Sequence, residues 1–165
     1  MSNPIEFVIR TLSIGAGATL VMDAWAFMLR RLGIPSLDFA LLGRWIGHLP
    51  RGTWFHPSIA KATPVAGERL LGWSAHYGIG ITFSALLLTL FGLSWARSPS
   101  LGPPLLIGLV TVIAPLFILQ PALGAGIASS KTAAPLFNAA KSVVTHLVFG
   151  FGLYLAAVAT ARVRP

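Results

Sequence analysis

The amino-acid sequence predicts an all-α integral membrane protein that folds as a four-helix bundle. Hydrophobic residues make up 55% of the 165 positions and charged residues only 10%, well below the charged fraction of a typical soluble domain. Four apolar runs, roughly 5–29, 70–95, 102–127 and 139–161, are each long enough to cross a bilayer as a helix. We therefore predict a single transmembrane domain over residues 1–165.

The charge and cysteine content exclude several other classes of protein. The net charge is +8, but the basic residues are scattered between apolar runs and do not form one basic face, so no nucleic-acid partner is predicted. Lipid headgroups are the expected counter-charge, and the lipid bilayer is the expected partner. Because the chain has no cysteine, it can form neither disulfides nor thiolate metal sites.

The first span has recognisable start and end signals. Pro4 suits a first helical turn, where its missing N–H costs nothing, and Arg30 and Arg31 close the span. Glu6 and Arg10 lie inside this apolar run, and no convincing cleavage site follows. We therefore expect a retained span and not a removed signal peptide.

The connector between the first two spans predicts a structure of its own. It runs from 33 to 69, and Leu37, Leu41 and Trp45 recur in it at helical spacing. This pattern predicts a short helix over 37–48 that lies at the membrane interface. A loop that only covers the end of the bundle is the alternative.

The second and third spans are joined by a short turn. The second span follows Glu68 and ends near Arg97, and residues 98–100 leave room only for a tight antiparallel return. The third span contains Pro115 and Pro121. Because proline removes a backbone donor, this helix is expected to kink.

The distribution of basic residues predicts the orientation in the membrane. In a four-span chain the first and third loops lie on one side and both termini on the other. The first and third loops with their helix ends carry eight Lys and Arg residues, against four on the other side. The positive-inside rule then predicts cytoplasmic loops and outer termini, although Arg162 and Arg164 after the last span argue the other way.

Each span carries one polar residue at a similar depth. Counted from the span end nearest the basic loops, Asp23, His76, Gln120 and His146 all lie about 9–11 Å in, at 1.5 Å of rise per residue. Small residues four positions away share their helix faces, which lets helices approach closely. We therefore predict one inward-facing polar layer that binds a ligand.

The sequence leaves several chemical roles open for the residues of this layer. Asp23 could accept a proton or bind a cation, or it could only anchor helices through a hydrogen bond to His76 or His146. The two histidines could bind a haem iron axially, or with Asp23 complete a three-ligand site for a divalent metal. Gln120 could contact a ligand or satisfy carbonyls that the kink at Pro121 exposes.

Four polar residues outside the hydrophobic runs are secondary site candidates, namely Arg44, His48, His56 and Glu68. Contacts with solvent or headgroups are the default expectation for such residues. Alternatively, they form an entrance to the polar layer from the basic side.

The segment 124–132 is similar to a phosphate-binding loop, but it fails the motif. Ala125 and Ser130 occupy the two positions that require glycine. No ATP site is predicted.

Short motifs spread over nearly the whole chain resemble the family of bacterial membrane proteins numbered as domain of unknown function 2938. They include Met22-Asp23-Ala24-Trp25, Gly43-Arg44-Trp45-Ile46-Gly47-His48, Gly67-Glu68, His76-Tyr77, Gln120-Pro121 and Thr145-His146. The resemblance implies a four-helix protein of the bacterial inner membrane and names no catalytic residue.

Three functions compete at this point. The first is a non-enzymatic membrane protein that binds or passes a small polar species or a proton through Asp23 and the histidines. The second is a redox protein that depends on haem or a divalent metal. The third is a structural or assembly partner, as a homo-oligomer or with another membrane protein, in which the polar layer only specifies packing.

Overall fold

The computed structural model describes residues 4–161, so Arg162 and Arg164 of the orientation prediction lie outside the described residues. Helices and turns make up this part of the chain, and no strand occurs between residues 4 and 161. The helices are α1 (Pro4–Arg31), α2 (Phe39–His48), α3 (Glu68–Arg97), α4 (Gly102–Thr111), α5 (Gln120–Leu123) and α6 (Pro135–Ala161).

Four stretches of helix are long and apolar enough to cross a membrane, namely Pro4–Arg31, Glu68–Arg97, Gly102–Leu123 and Pro135–Ala161. Both the all-α class and the four spans are therefore confirmed.

The chain divides into two compact units, each built from segments that are distant in sequence. Unit 1 takes the residues up to Ile34, Tyr77–Thr111 and the residues from Thr145 onward, and unit 2 takes Pro35–His76 and Val112–Val144. The prediction of one domain over 1–165 stays a prediction.

Unit 1 contains the main apolar core, to which α1, α3, α4 and α6 all contribute. The largest fully buried core side chains include Ile14, Leu87, Leu88 and Leu153. Its helices approach closely at glycine: a Cβ placed on Gly15 would lie 2.6 Å from the Cα of Ile81. This agrees with the close packing expected from small residues in membrane helices.

Unit 1 also buries an ionic cluster at the start of α1. Glu6 accepts hydrogen bonds from Arg10 Nε at 2.8 Å and from the Arg97 guanidinium. Arg10 also donates to the carbonyls of Ala96 and Thr160, and both Glu6 and Arg10 are buried. A buried arginine needs such a full set of acceptors, and this cluster joins the first turn of α1 to the ends of α3 and α6.

In unit 2, α2 confirms that the long connector forms a helix, which starts at Phe39 and not at residue 37. Asp38 is the N-cap, because its side chain accepts a hydrogen bond from the Ala40 N–H at 2.9 Å. The position of α2 at a membrane interface stays a prediction.

The third span is shorter than predicted and changes its winding along the way. After α4, residues Ala114–Leu119 form a π-helical segment that contains Pro115, and α5 follows. The span ends at Leu123 and not at 127, because Gly124 adopts a left-handed conformation with φ 96°. The irregularity expected at the prolines therefore takes the form of a π-helical segment, which is wider than an α-helix.

Helix α3 is interrupted near its end. Gly92 has φ 75° and ψ 169°, which is not helical, so α3 consists of two helical pieces joined at this residue. The sequence alone did not predict this break, since a single glycine within an apolar run also occurs in regular membrane helices.

Candidate functional site

Asp23 lies in the second half of α1 and is held by a tyrosine of α3. The Tyr77 hydroxyl donates a hydrogen bond to Asp23 Oδ2 at 3.0 Å, in partly buried surroundings within unit 1. A carboxylate inside a span is costly in hydrocarbon and therefore takes hydrogen bonds from its neighbours. The phenol can both donate and accept, so this contact is suited to share or relay a proton.

His146 is a buried residue of α6 whose imidazole faces α4. Its Nδ1 lies 3.1 Å from Thr111 Oγ1, and that hydroxyl also lies 3.1 Å from the Gly108 carbonyl. The Thr111 hydroxyl donates to the Gly108 carbonyl, and its oxygen accepts from the imidazole at the same time when Nδ1 carries the proton. A histidine in a span is thereby satisfied by a neighbouring helix of the same unit.

His76 is buried in unit 2 in contact with aromatic rings. Its ring is stacked on Phe39 of α2, with centroids 3.9 Å apart and planes at 23°. Trp73, one turn earlier on α3, lies edge-on to both rings. The aromatic contact orients the imidazole, and it joins the start of α2 to α3.

Gln120 is the centre of a small hydroxyl network in unit 2. Its Nε2 donates to Ser142 Oγ at 3.1 Å, and its Oε1 accepts from Ser129 Oγ at 2.9 Å. The expected repair of carbonyls at the proline kink is therefore wrong for this side chain. Gln120 instead connects α6 with the turn that follows α5.

The contacts do not join the predicted residues into a hydrogen-bonded pair within either unit. Among residues 4–161, His146 bonds Thr111 and not Asp23, and Gln120 bonds two serines and not His76. Of the two anchoring hydrogen bonds that the sequence left open for Asp23, the one to His146 is not formed, and the one to His76 stays a prediction. The gathering of all four residues in one layer stays a prediction.

A three-ligand metal site of Asp23, His76 and His146 is one of the alternatives that the sequence left open. Within residues 4–161, no group of three or more His, Asp or Glu side chains is placed to hold a metal ion. Axial haem ligation by two histidines stays a prediction.

Two of the secondary candidates, Arg44 and Glu68, form an ion pair at the start of α3. The Arg44 guanidinium contacts both carboxylate oxygens of Glu68, at 2.7 and 2.8 Å, and donates to three carbonyls between residues 59 and 62. The hydrogen bond to Glu68 raises the pKa of Arg44. The expectation of solvent or headgroup contacts is therefore wrong for Glu68, and its ion pair with Arg44 fixes the connector against α3.

The other two secondary candidates, His48 and His56, lie next to each other in unit 2. Their ring centroids are 5.0 Å apart at 78°, and His48 Nε2 bonds the Thr63 carbonyl at 2.9 Å. His56 is only 8% exposed, and neither of its ring nitrogens has a hydrogen-bond partner. The default expectation of a solvated side chain is thus wrong for His56 as well.

Most of the chain matches one known protein family. The family described as "Protein of unknown function (DUF2938)" matches the chain over residues 12–160. The chain belongs to this family. The match confirms the resemblance seen in the short motifs.

The DUF2938 match includes every primary and secondary candidate residue, since all of them lie between 12 and 160. No curated protein and no solved structure matches the chain. Roles for these residues must therefore come from their own geometry.

Several partners of the candidate residues were missed from the sequence. Tyr77 had a usable signal, because it directly follows His76 and is a second polar group within an apolar run. Thr111 and Ser142 are common helix residues, and Phe39 lies in another element, so these partners become evident only when the helices are packed.

Proposed function

We propose that this DUF2938 protein is a non-enzymatic, multi-pass protein of the bacterial inner membrane that binds or passes a small polar species or a proton. Asp23 is the proposed acceptor, Tyr77 its proton-sharing partner, and His76 and His146 further ionisable groups in the spans. The proposal includes the lipid bilayer as partner, cytoplasmic first and third loops, and outer termini.

The hydrogen bond from Tyr77 to Asp23 is the observation that carries this proposal. Membrane spans rarely keep a carboxylate unless it serves binding, transport or proton transfer. Here the carboxylate belongs to α1 and its donor to α3, so a change in the charge of the carboxylate would alter a contact between two spans. Such a contact supplies an exchangeable proton within reach of the acidic group.

A second candidate function is that of a structural or assembly partner. His146 and Gln120 favour it, because both direct their hydrogen bonds to side chains on neighbouring segments. In this case the polar residues specify which helices pack together, and Asp23 binds no solute.

Proton flux in liposomes tests the first function, with Asp23→Asn as the decisive variant. The purified full chain is reconstituted with a trapped pH dye, and a potassium diffusion potential drives proton entry. We expect flux above that of empty liposomes for the wild type and loss of this excess in Asp23→Asn, because the amide cannot take up the proton. Tyr77→Phe is expected to reduce the flux without abolishing it.

Asp38→Asn is the matched control. Asp38 is exposed and caps α2 outside the spans, and asparagine caps helices about as well as aspartate. Flux equal to that of empty liposomes in the wild type, or equal loss in both Asn variants, would contradict proton passage through Asp23. If binding of small polar solutes is then also unchanged by Asp23→Asn, the structural function is favoured.

A further inference from the structure

The connector and the segment after α5 line an open pocket within unit 2. It has a volume of about 630 Å³, which is the size of a small-molecule site. The lining residues are Phe55, His56, Pro57, Pro121, Gly124, Gly126, Ile127, Ser130 and Lys131.

The walls of this pocket are held in place by backbone contacts. The His56 N–H donates to the Ala122 carbonyl at 2.9 Å. Gly124 packs directly on the carbonyls of His56 and Pro57, where any Cβ would clash. These contacts fix the connector against the segment after α5, so the two sides of the pocket hold a defined position relative to each other.

The pocket lining combines a cationic side chain with apolar side chains. Lys131 supplies the positive charge of the lining, and it forms no ion pair with an acidic side chain among residues 4–161. Ser130, its neighbour in the sequence, adds a hydroxyl. Phe55 and Ile127 are 71% and 58% exposed. No Asp or Glu lines the pocket, so its charge favours an anion over a cation.

His56 gives a second, independent indication of a ligand. The residue lines the pocket and is 8% exposed, yet both of its ring nitrogens lack a partner. Buried polar atoms in folded proteins nearly always have a hydrogen-bond partner, and exceptions call for a specific explanation. Both nitrogens lie just beneath the pocket surface, so a ligand oxygen supplies that partner once the ring turns toward the pocket.

The backbone between the two lining segments is strained. Ala128 and Ser129 adopt φ values of 48° and 65°, which are unfavourable for residues with a Cβ. The hydrogen bond from Ser129 Oγ to Gln120 holds this conformation. The strained turn lies between Ile127 and Ser130 in the sequence, and Ile127, Ser130 and Lys131 all line the pocket.

We propose that this pocket binds the phosphate group of an amphiphilic phosphate ester. Lys131 and Ser130 contact the phosphate, His56 donates a hydrogen bond from the wall, and Phe55 and Ile127 contact the apolar part. A lipid headgroup and a soluble phosphate ester share this chemistry. The site is separate from the role proposed for Asp23, and either can be present without the other.

Calorimetric titration of the full chain in a maltoside detergent tests this site. The probes are a short-chain phosphatidylglycerol, the matching phosphatidylcholine, and glycerol 3-phosphate. We expect phosphatidylglycerol to bind more tightly than phosphatidylcholine, whose own cation compensates the phosphate. Loss of a charge-assisted hydrogen bond in Lys131→Gln should weaken binding roughly tenfold.

Lys61→Gln is the matched control, because Lys61 is an exposed lysine of unit 2 that does not line the pocket. His56→Phe is a second variant that keeps a ring in the wall, and it should weaken binding without lowering the melting temperature, since no protein hydrogen bond is lost. Tight binding of phosphatidylglycerol alone identifies a lipid site. Lys131-dependent binding of glycerol 3-phosphate supports the same pocket with a soluble ligand.

Two results with the variants would overturn the proposal. One is wild-type affinity for every probe in both Lys131→Gln and His56→Phe. The other is a loss in Lys61→Gln as large as that in Lys131→Gln, which would show non-specific attraction to a basic protein. Absence of binding by all three probes to the wild type also counts against the site.

Discussion

At the scale of single residues, the environment of His146 shows how a membrane helix accommodates an imidazole. The Thr111 hydroxyl lies between the ring nitrogen and the Gly108 carbonyl, and the glycine allows α4 to approach α6 closely. The sequence identified the histidine as unusual for its surroundings. It did not identify the partner, because threonine is unremarkable in a membrane helix.

We predict that His146→Ala lowers the free energy of unfolding by roughly 1–3 kcal/mol, through a cavity and the loss of the hydrogen bond to Thr111. His146→Asn should lose less, because its amide can still bond Thr111. Thermal unfolding in detergent measures both. A double-mutant cycle with Thr111→Val gives the coupling between the two side chains, and a coupling near zero would show that the hydrogen bond contributes nothing.

At the scale of elements, hydropathy and end signals predicted the spans well but not their irregularities. Pro4 and the paired Arg30 and Arg31 mark the ends of α1 as expected. The break at Gly92 and the end of the third span at Leu123 both depend on backbone conformations with positive φ. Tertiary contacts determine those conformations, and a local sequence pattern carries no information on such contacts.

Gly124 gives an element-scale prediction, with Gly52 as its control. Both glycines have positive φ, but a Cβ at Gly52 would meet nothing within 4 Å, whereas one at Gly124 would clash with the connector. Gly52→Ala should cost about 1–2 kcal/mol for its φ alone. Gly124→Ala should cost clearly more, because the methyl group must also push apart the two sides of the pocket.

Thermal unfolding of the two alanine variants checks this difference. Equal melting temperatures would mean that the close approach of the connector to Gly124 is not maintained in solution. The matched φ values, 96° at Gly124 and 75° at Gly52, make backbone strain alone a poor explanation for a large difference.

At the scale of the whole molecule, composition sufficed to predict the class of protein, while the site was predicted only in part. Asp23, His76, Gln120 and His146 were singled out as polar residues in apolar runs, and each has a specific contact in the structure. The pocket between the connector and α5 was not predicted. Its lining comes from two stretches that are far apart in sequence.

Orientation can be tested directly, because the chain contains no cysteine. Thr53 in the first loop and Ser98 in the second are exposed, so Thr53→Cys and Ser98→Cys report on opposite sides of the membrane. We expect a membrane-impermeant maleimide to label only Ser98→Cys in cells with a permeabilised outer membrane. Lysis should then expose Thr53→Cys, and the reverse pattern would place the termini in the cytoplasm.

The four acidic side chains of the chain, Glu6, Asp23, Asp38 and Glu68, all have internal donors. Among residues 4–161, by contrast, Arg51, Lys61, Arg69 and Lys131 have neither an ion pair nor a side-chain hydrogen bond. An arriving metal ion or amine meets carboxylates whose charge is already partly compensated by resident donors, whereas an incoming anion meets no such competitor at these four cations. The protein would therefore sort solutes by the sign of their charge before shape or size becomes relevant.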